Sequence, residues 1–275
     1  MIASLDELLQ QLWVDFTKIN PQAEGIHQLL QARGETVVND HIAFRTFDDP
    51  RVNVDRLSED FLKWGYTPGE SYHFDKKRLD ARHYEHPDPR QPKIFISELR
   101  TGDFSSELQR LVGRFLDELS DSIEPTGDHP LCLSGRPWKI SSQEYELLAE
   151  ESEYAGWMAA FGFRANHFTV LVNSLTTIHS LQELNELVKG AGYALNDEGG
   201  EIKGAPAVLL EQSSTWASQV EVEFSDGRKT IPGCYYEFAR RYPKDGGSLF
   251  TGFVTQSADK IFQSTDRRPA EGSST

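Results

Sequence analysis

A strand-like segment over residues 39–47 carries residue types that could do chemistry. His41, Ala43 and Arg45 alternate with mostly apolar residues, so they share one face of the predicted strand. A histidine can bind a metal ion, an arginine can bind an anion, and the alanine between them leaves room for a ligand. An edge strand with a solvated polar face would show the same pattern, and the segment alone does not decide between the two interpretations.

A second segment of the same kind lies about halfway along the chain. Residues 166–170 align with residues 40–44, so that His167 takes the place of His41. In both halves a predicted helix follows and ends before a Gly-Tyr pair, and a later strand, 94–98 or 234–237, completes the series. Chance resemblance between two strand–helix pairs is the alternative. Three aligned features in the same order favour an internal repeat.

The repeat predicts an α+β fold of two βαβββ-type modules whose sheets form a shared cup or partial barrel. We expect the modules at residues 39–103 and 164–262. Apolar residues at helical spacing predict N-terminal helices within residues 1–38 and a helical connector over residues 104–163. The tail, 263–275, is rich in Ser, Pro and charge and is expected to be disordered. The rest should form one compact domain.

Composition limits the partners and the compartment. A formal net charge of −15 argues against a nucleic-acid surface, although one buried arginine can still bind an acidic small molecule. The two cysteines are too few for a disulfide framework. Neither a signal peptide nor a membrane-spanning run is recognisable, which predicts a soluble, cytoplasmic protein. Composition does not determine the oligomeric state.

The repeat also predicts where a metal ion would bind. His41 and His167 would face each other across the shared cavity, and Glu237 on a last strand could complete a set of two histidines and one carboxylate. Such a set holds one face of an octahedron and leaves the other face open, which suits Fe(II). A structural zinc site would be closed by four ligands and richer in cysteine.

Other polar residues are weaker candidates. In the repeat alignment Glu98 takes the place of Glu237, and it could be a fourth ligand, a proton-transfer group or a member of an unrelated salt bridge. We prefer Glu237 as the ligand and keep Glu98 as second choice. His73 and Lys77 belong to strands expected to wall the first cavity, where they could contact substrate. A basic strand is, however, more often a solvated face.

Together these residues resemble a known family. His41 with Arg45 four residues later, the Asn166–His167 pair and Glu237 in a Tyr-Tyr-Glu-Phe strand are similar to the iron-dependent 2-oxoadipate dioxygenase/decarboxylase family, also called hydroxyglutarate synthase. The basic run from Asp75 to Ala81 adds to the match. The resemblance covers roughly residues 4–262, and it implies a vicinal-oxygen-chelate fold. The chain is markedly shorter than the bacterial members of the family.

The resemblance implies a cofactor, a substrate and a role for each site residue. Fe(II) would be bound by His41, His167 and Glu237, and Arg45 would bind a substrate carboxylate and so act in catalysis. The partners would be O2 and a small 2-oxo acid, with 2-oxoadipate converted to 2-hydroxyglutarate and CO2. Two other hypotheses fit the residues: a non-redox isomerase or lyase using Zn, Ni or Co, and a binding module without catalysis.

Overall fold

The computed structural model describes residues 2–119 and 130–266. Its helices follow the predicted periodicity, and most begin at a Ser or Asn whose side chain accepts a hydrogen bond from the first helical turn. The α-helices of this part are α1 (Leu5–Ile19), α2 (Pro21–Ala32), α3 (Val54–Leu62), α4 (Ser106–Asp117), α5 (Ser142–Glu151), α6 (Glu153–Phe161), α7 (Leu181–Gly190) and α8 (Thr255–Ile261). None of these helices is long and apolar enough to cross a lipid bilayer.

The strands alternate with the helices in the order that the repeat predicts. They are β1 (Asn39–Phe47), β2 (Thr67–Phe74), β3 (Leu79–Glu85), β4 (Lys93–Leu99), β5 (Ala165–Leu171), β6 (Lys203–Ala205), β7 (Leu210–Ser214), β8 (Gln219–Phe224), β9 (Gly227–Pro232) and β10 (Tyr235–Arg241). All but β8 and β9 belong to one curled sheet, in the order β2-β3-β4-β1-β5-β10-β7-β6.

The sheet has the symmetry that an internal repeat requires. At its centre β1 and β5 are antiparallel, and each is parallel to the last strand of its own half, β4 or β10. From the centre outward the first half then continues with β3 and β2, and the second half continues with β7 and β6. The α+β class with two modules and a half-barrel sheet is therefore confirmed. The β8–β9 hairpin is an addition to the second half, paired only with itself.

The hydrophobic core lies between the outer face of the sheet and the helices that pack on it. Trp13 and Phe16 of α1 pack against Phe168 and Tyr236, with ring centroids 4.9–6.4 Å apart. Burial of this apolar area is the main force that holds the helices on the sheet. The residues between these positions on β1, β5 and β10 therefore face the concave side.

The concave side is covered by α6 and by the C-terminal segment 249–266. Phe253 of this segment packs edge-on against the His41 ring, with centroids 4.9 Å apart, and Phe262–Thr265 form a short 3-10 helix. Thr265 is buried and hydrogen-bonded to Arg45. The prediction of disorder is therefore wrong for residues 263–266, because their side chains fill the cup; residues 267–275 lie outside the described part of the chain.

Candidate metal centre

His41, His167 and Glu237 meet at the middle of the concave face. Strand pairing brings them there: Ala43 is paired with His167 across β1 and β5, and Glu237 with Thr169 across β5 and β10. All three side chains are buried. One ligand atom from each lies within 4.8 Å of the other two. These three residues are far apart in the sequence and are thus neighbours only in the fold.

The distances between these atoms suit one ion. The two Nε2 atoms are 3.4 Å apart, and the Glu237 oxygens lie 3.5 Å from His41 Nε2 and 3.4 Å from His167 Nε2. Two donors bound to one ion at about 2.1 Å stand about 3.0–3.4 Å apart at right or tetrahedral angles. A small inward movement of the three side chains would place their donor atoms at binding distance from one ion.

Each histidine is oriented by the residue before it. His41 Nδ1 lies 2.8 Å from an Asp40 oxygen, and His167 Nδ1 lies 3.1 Å from the Asn166 side-chain oxygen. Each Nδ1–H therefore donates outward, and each Nε2 is left with its lone pair facing the centre. The Thr169 hydroxyl lies 3.1 Å from His41 Nε2. The repeat thus includes the groups that orient the ligands.

Burial favours the neutral imidazoles that metal binding needs. It lowers the pKa of His41, against the opposing effect of Asp40, and it lowers the pKa of His167 well below its usual range, with His41 adding to the effect. Burial also raises the pKa of Glu237 to about 8, against a hydrogen bond from Gln212. A cation between the three groups would offset this desolvation of the carboxylate.

The donor set fits a metal ion for a simple electrostatic reason. Two imidazole lone pairs and a carboxylate point at one buried space, and Glu237 Oε2 has no hydrogen-bond partner among the described residues. Acceptors that converge in this way need a shared positive charge. Two histidines and one carboxylate are the set that binds Fe(II) with open positions, although zinc and other divalent ions accept the same ligands.

Arg45 lies on the same concave face as the candidate metal ligands. Strand register arranges the concave face in rows across β1, β5 and β10. The first row is His41, Thr169 and Glu237, and the second is Ala43, His167 and Tyr235. Arg45 follows on β1, one row beyond Ala43. The small alanine thus separates the candidate metal ligands from a cation, as the sequence pattern predicts.

Arg45 is fully enclosed and already has partners. Its Nη1 donates to Glu153 at 2.9 Å, its Nη2 donates to the Thr265 hydroxyl at 2.9 Å, and its guanidinium lies over the rings of Tyr154 and Trp157. Its Nε–H, also buried, has no acceptor in the described structure. The Nε edge of the guanidinium is therefore the one that remains for a ligand.

Glu98 is not where the repeat alignment predicts. Since Lys93 is paired with His41, and Tyr235 with His167, the residue equivalent to Glu237 is Phe95. Glu98 belongs to the opposite face, where its carboxylate accepts a 2.7 Å hydrogen bond from the Val54 amide at the start of α3. Its second-choice assignment as a ligand is wrong because an alignment of sequences does not determine strand register.

His73 and Lys77 lie away from the three candidate ligands. His73 points outward from β2, 55% exposed, with Asp75 and Asp80 as carboxylate partners. The expectation that it lines the cavity is wrong, because its neighbours Tyr72 and Phe74 take the buried positions of the strand. Lys77 lies in the turn after β2, 3.8 Å from Asp266, so it reaches the covering segment rather than the metal centre.

Three contributors to the site were not predicted from the sequence. Arg241, rather than the neighbouring Arg240, is the buried cation of β10, and it forms a bidentate pair with Asp40 at 2.6 and 2.8 Å. Gln212 donates to Glu237 at 2.6 Å. Glu153 comes from the helical connector. The Asp-His and Asn-His pairs in the sequence are a signal that could have pointed to Arg241. No local pattern identifies Gln212 or Glu153.

Paired βαβββ modules in a curled sheet, with a His-His-Glu cluster between the two halves, define a vicinal-oxygen-chelate-like fold. The sequence profile of one family, described as 2-oxoadipate dioxygenase/decarboxylase, matches residues 4–125 and 132–250. The chain belongs to this family. The resemblance drawn from the sequence is therefore confirmed.

Individual relatives extend the match over nearly the whole chain. A chloroplastic 2-oxoadipate dioxygenase/decarboxylase of Arabidopsis thaliana is 33% identical over 284 residues, which cover 94% of this chain and 76% of the relative. The structure of a Shewanella frigidimarina protein described as a hydrolase has 47% identity and a TM-score of 0.88, covering 93% of this chain and 99% of its own. The Oryza sativa hydroxyglutarate synthase, solved with 2-oxoadipate, has 32% identity and a TM-score of 0.84, with 94% and 90% covered.

Proposed function

We propose that this protein is an Fe(II)-dependent dioxygenase/decarboxylase that converts a 2-oxo dicarboxylic acid, 2-oxoadipate, into 2-hydroxyglutarate and CO2. The observation that carries the proposal is the buried convergence of His41, His167 and Glu237, with the guanidinium of Arg45 further along the same face. A candidate metal centre and a fixed cation on one concave face fit a substrate with a 2-oxo acid at one end and a carboxylate at the other. Family membership supports the same chemistry.

The reaction balances without a further co-substrate. The C1 carboxylate of 2-oxoadipate leaves as CO2, and C2 becomes the new carboxylate with one oxygen atom of O2. The other oxygen atom becomes the hydroxyl on the neighbouring carbon. Loss of CO2 and oxidation of the C–H bond each supply two electrons, which together reduce one O2. The substrate therefore provides all of the reducing equivalents.

The residues of the chain would hold and orient the reactants. Fe(II), when bound by His41, His167 and Glu237, would chelate the 2-oxo acid and supply the redox chemistry for O2. Asp40 and Asn166 fix the two imidazole rings through Nδ1. The surrounding side chains exclude water from the centre, since all five of these residues are buried.

Arg45 would bind the distal carboxylate by its unpartnered edge. A carboxylate placed side-on to Nε and Nη2 would replace the Thr265 hydroxyl and leave the Glu153 pair at Nη1 intact. The Glu153 pair would then keep the guanidinium plane in place. A cavity of about 220 Å³ is lined in part by Glu153, Trp157 and Thr265, three residues that contact Arg45.

The proposal is tested by loading the protein with Fe(II) without oxygen, adding 2-oxoadipate, and measuring O2 uptake and CO2 release. Glu237→Gln should lose at least about 100-fold in turnover because a metal ligand is removed. Glu98→Gln is the matched control, since this carboxylate lies on the other face, and it should retain turnover.

Two outcomes would contradict the proposal. The first is an absence of O2 uptake with every 2-oxo acid tested. The second is unchanged turnover in Glu237→Gln, which would remove the assigned centre. Full turnover with Zn(II) in the absence of O2 would instead favour a non-redox enzyme on this fold.

A further inference from the structure

Tyr235 has a position on the concave face that the proposed chemistry does not yet use. It precedes Glu237 by two residues on β10, so both side chains are on the same face of the sheet, and it is paired in register with His167. Its ring stacks on the imidazole of His167, with centroids 4.5 Å apart and planes 26° apart. Both residues are buried, so this contact holds the tyrosine ring firmly in one orientation.

The Tyr235 hydroxyl is one of several buried polar groups on or next to the concave face that lack a partner. Within residues 2–119 and 130–266 no hydrogen-bond partner is present for the Tyr235 hydroxyl, for Arg45 Nε, for Glu237 Oε2 or for Gln212 Oε1. A buried polar group without a partner is costly, so a group of them on one face points to a ligand that pairs with them. The Tyr235 hydroxyl and Arg45 Nε are donors, and the two acceptors lie at the candidate metal centre.

Strand register places Tyr235 between Glu237 and Arg45 on the concave face. Tyr235 shares a row with His167 and Ala43, two residues along β10 from Glu237, and Arg45 follows one row beyond Ala43 on β1. A ligand that extends from the candidate metal centre towards Arg45 would therefore pass Tyr235.

We propose that Tyr235 is a substrate-positioning residue whose hydroxyl donates a hydrogen bond to the distal carboxylate of the bound 2-oxo dicarboxylic acid, beside Arg45. The inference rests on the proposed function. A carboxylate accepts several hydrogen bonds, and Tyr235 O–H and Arg45 Nε–H are buried donors of the concave face without a partner in the described structure. The pair would select substrates that carry a second carboxylate at the correct distance from the 2-oxo acid.

Tyr236 provides a matched control for this inference. It is the next residue on the same strand and equally buried, and its hydroxyl also lacks a partner in the described structure. Its ring, however, packs on the outer face against Trp13 and Phe16. Tyr235→Phe and Tyr236→Phe therefore remove the same atom from the same strand on opposite faces of the sheet.

The test measures equilibrium binding without turnover. Fe(II)-loaded protein is titrated under anaerobic conditions, by calorimetry, with 2-oxoadipate and with 2-oxohexanoate, which has the same chain length and no distal carboxylate. Tyr235→Phe should weaken 2-oxoadipate binding about 10-fold through loss of a hydrogen bond to a charged group. The dissociation constant for 2-oxohexanoate should not change, and Tyr236→Phe should change neither. This selective effect is one that a merely structural role would not produce.

Each other outcome overturns the inference. Equal weakening for both ligands would place the hydroxyl at the 2-oxo acid end, and no weakening for either would make Tyr235 a packing residue. If the wild-type protein binds neither ligand while still binding Fe(II), the proposed function fails and this inference fails with it. Wild-type binding of 2-oxoadipate without any effect of Tyr235→Phe rejects the inference alone.

Discussion

Replacement of Asp40 by Asn tests how the metal centre is supported. One Asp40 oxygen accepts from His41 Nδ1 at 2.8 Å, and the carboxylate as a whole forms a bidentate pair with Arg241. Arg241 Nη1 also donates to the carbonyl oxygens of Phe250 and Gly252, at 2.9 and 2.8 Å. Burial would raise the pKa of Asp40, but Arg241 and His41 lower it well below its usual range. Asp40 therefore orients a metal ligand and neutralises a buried cation.

The two roles have separate magnitudes. Asp40→Asn keeps an oxygen for His41 but leaves Arg241 as a buried charge without a counterion, which should lower the free energy of unfolding by about 3 kcal/mol. Loss of the charge behind His41 should weaken metal binding about 10-fold. The double variant Asp40→Asn/Arg241→Gln should recover at least about 1 kcal/mol of the unfolding free energy, because the unpaired cation is removed. Its metal affinity should remain that of the single variant.

Urea unfolding of the metal-free variants and anaerobic competition of Fe(II) with a chelator measure the two quantities. A free energy of unfolding for Asp40→Asn within about 0.5 kcal/mol of the wild-type value would refute the buried-pair argument. A double variant less stable than the single one would refute it as well. Recovery of full metal affinity in the double variant would show that Asp40 acts on Arg241 and not on His41.

Two further predictions concern Glu35 and Arg45. Burial would raise the pKa of Glu35, but hydrogen bonds from the amides and hydroxyls of Thr176 and Thr177 lower it to about 2 from 4.5. Glu35→Gln should therefore cost about 2 kcal/mol of unfolding free energy at neutral pH, and the deficit, measured by urea unfolding, should shrink as the pH falls from 4.5 towards 2; a deficit independent of pH would contradict this. Arg45→Lys keeps the charge but loses the fork geometry, so KM for 2-oxoadipate should rise at least about 10-fold more than KM for 2-oxohexanoate in steady-state kinetics; equal changes would indicate a structural role.

The repeat made the architecture and the three convergent residues predictable. Strand alternation and a helix ending in Gly-Tyr occur in both halves, and two copies of such a unit have few ways to share a sheet. The position of Ala43 between His41 and Arg45 follows from the two-residue period of a strand. Local pattern and symmetry were sufficient for these features.

Strand register and long-range polar pairs could not be predicted from the sequence. Glu98 and Glu237 align in the sequence repeat, but the hydrogen bonding between β1 and β4 shows that Phe95 is the residue equivalent to Glu237. Asp40 and Arg241 are 201 residues apart, and their pairing follows from the complete topology. The order of residues 263–266 likewise depends on the cup they fill, because a polar segment gains fixed structure only from its partners.

The central pairing of β1 with β5 has a consequence for how the protein folds. His41 and His167 are 126 residues apart, so neither half of the chain can assemble the centre alone. Closing a loop of this length is entropically unfavourable, and the contact is expected to form late on the folding pathway. An ion that needs both histidines would bind only the completed native state and would shift the folding equilibrium towards it by mass action. Fe(II) uptake followed during refolding would thus report the docking of the two modules, the last long-range event of the fold.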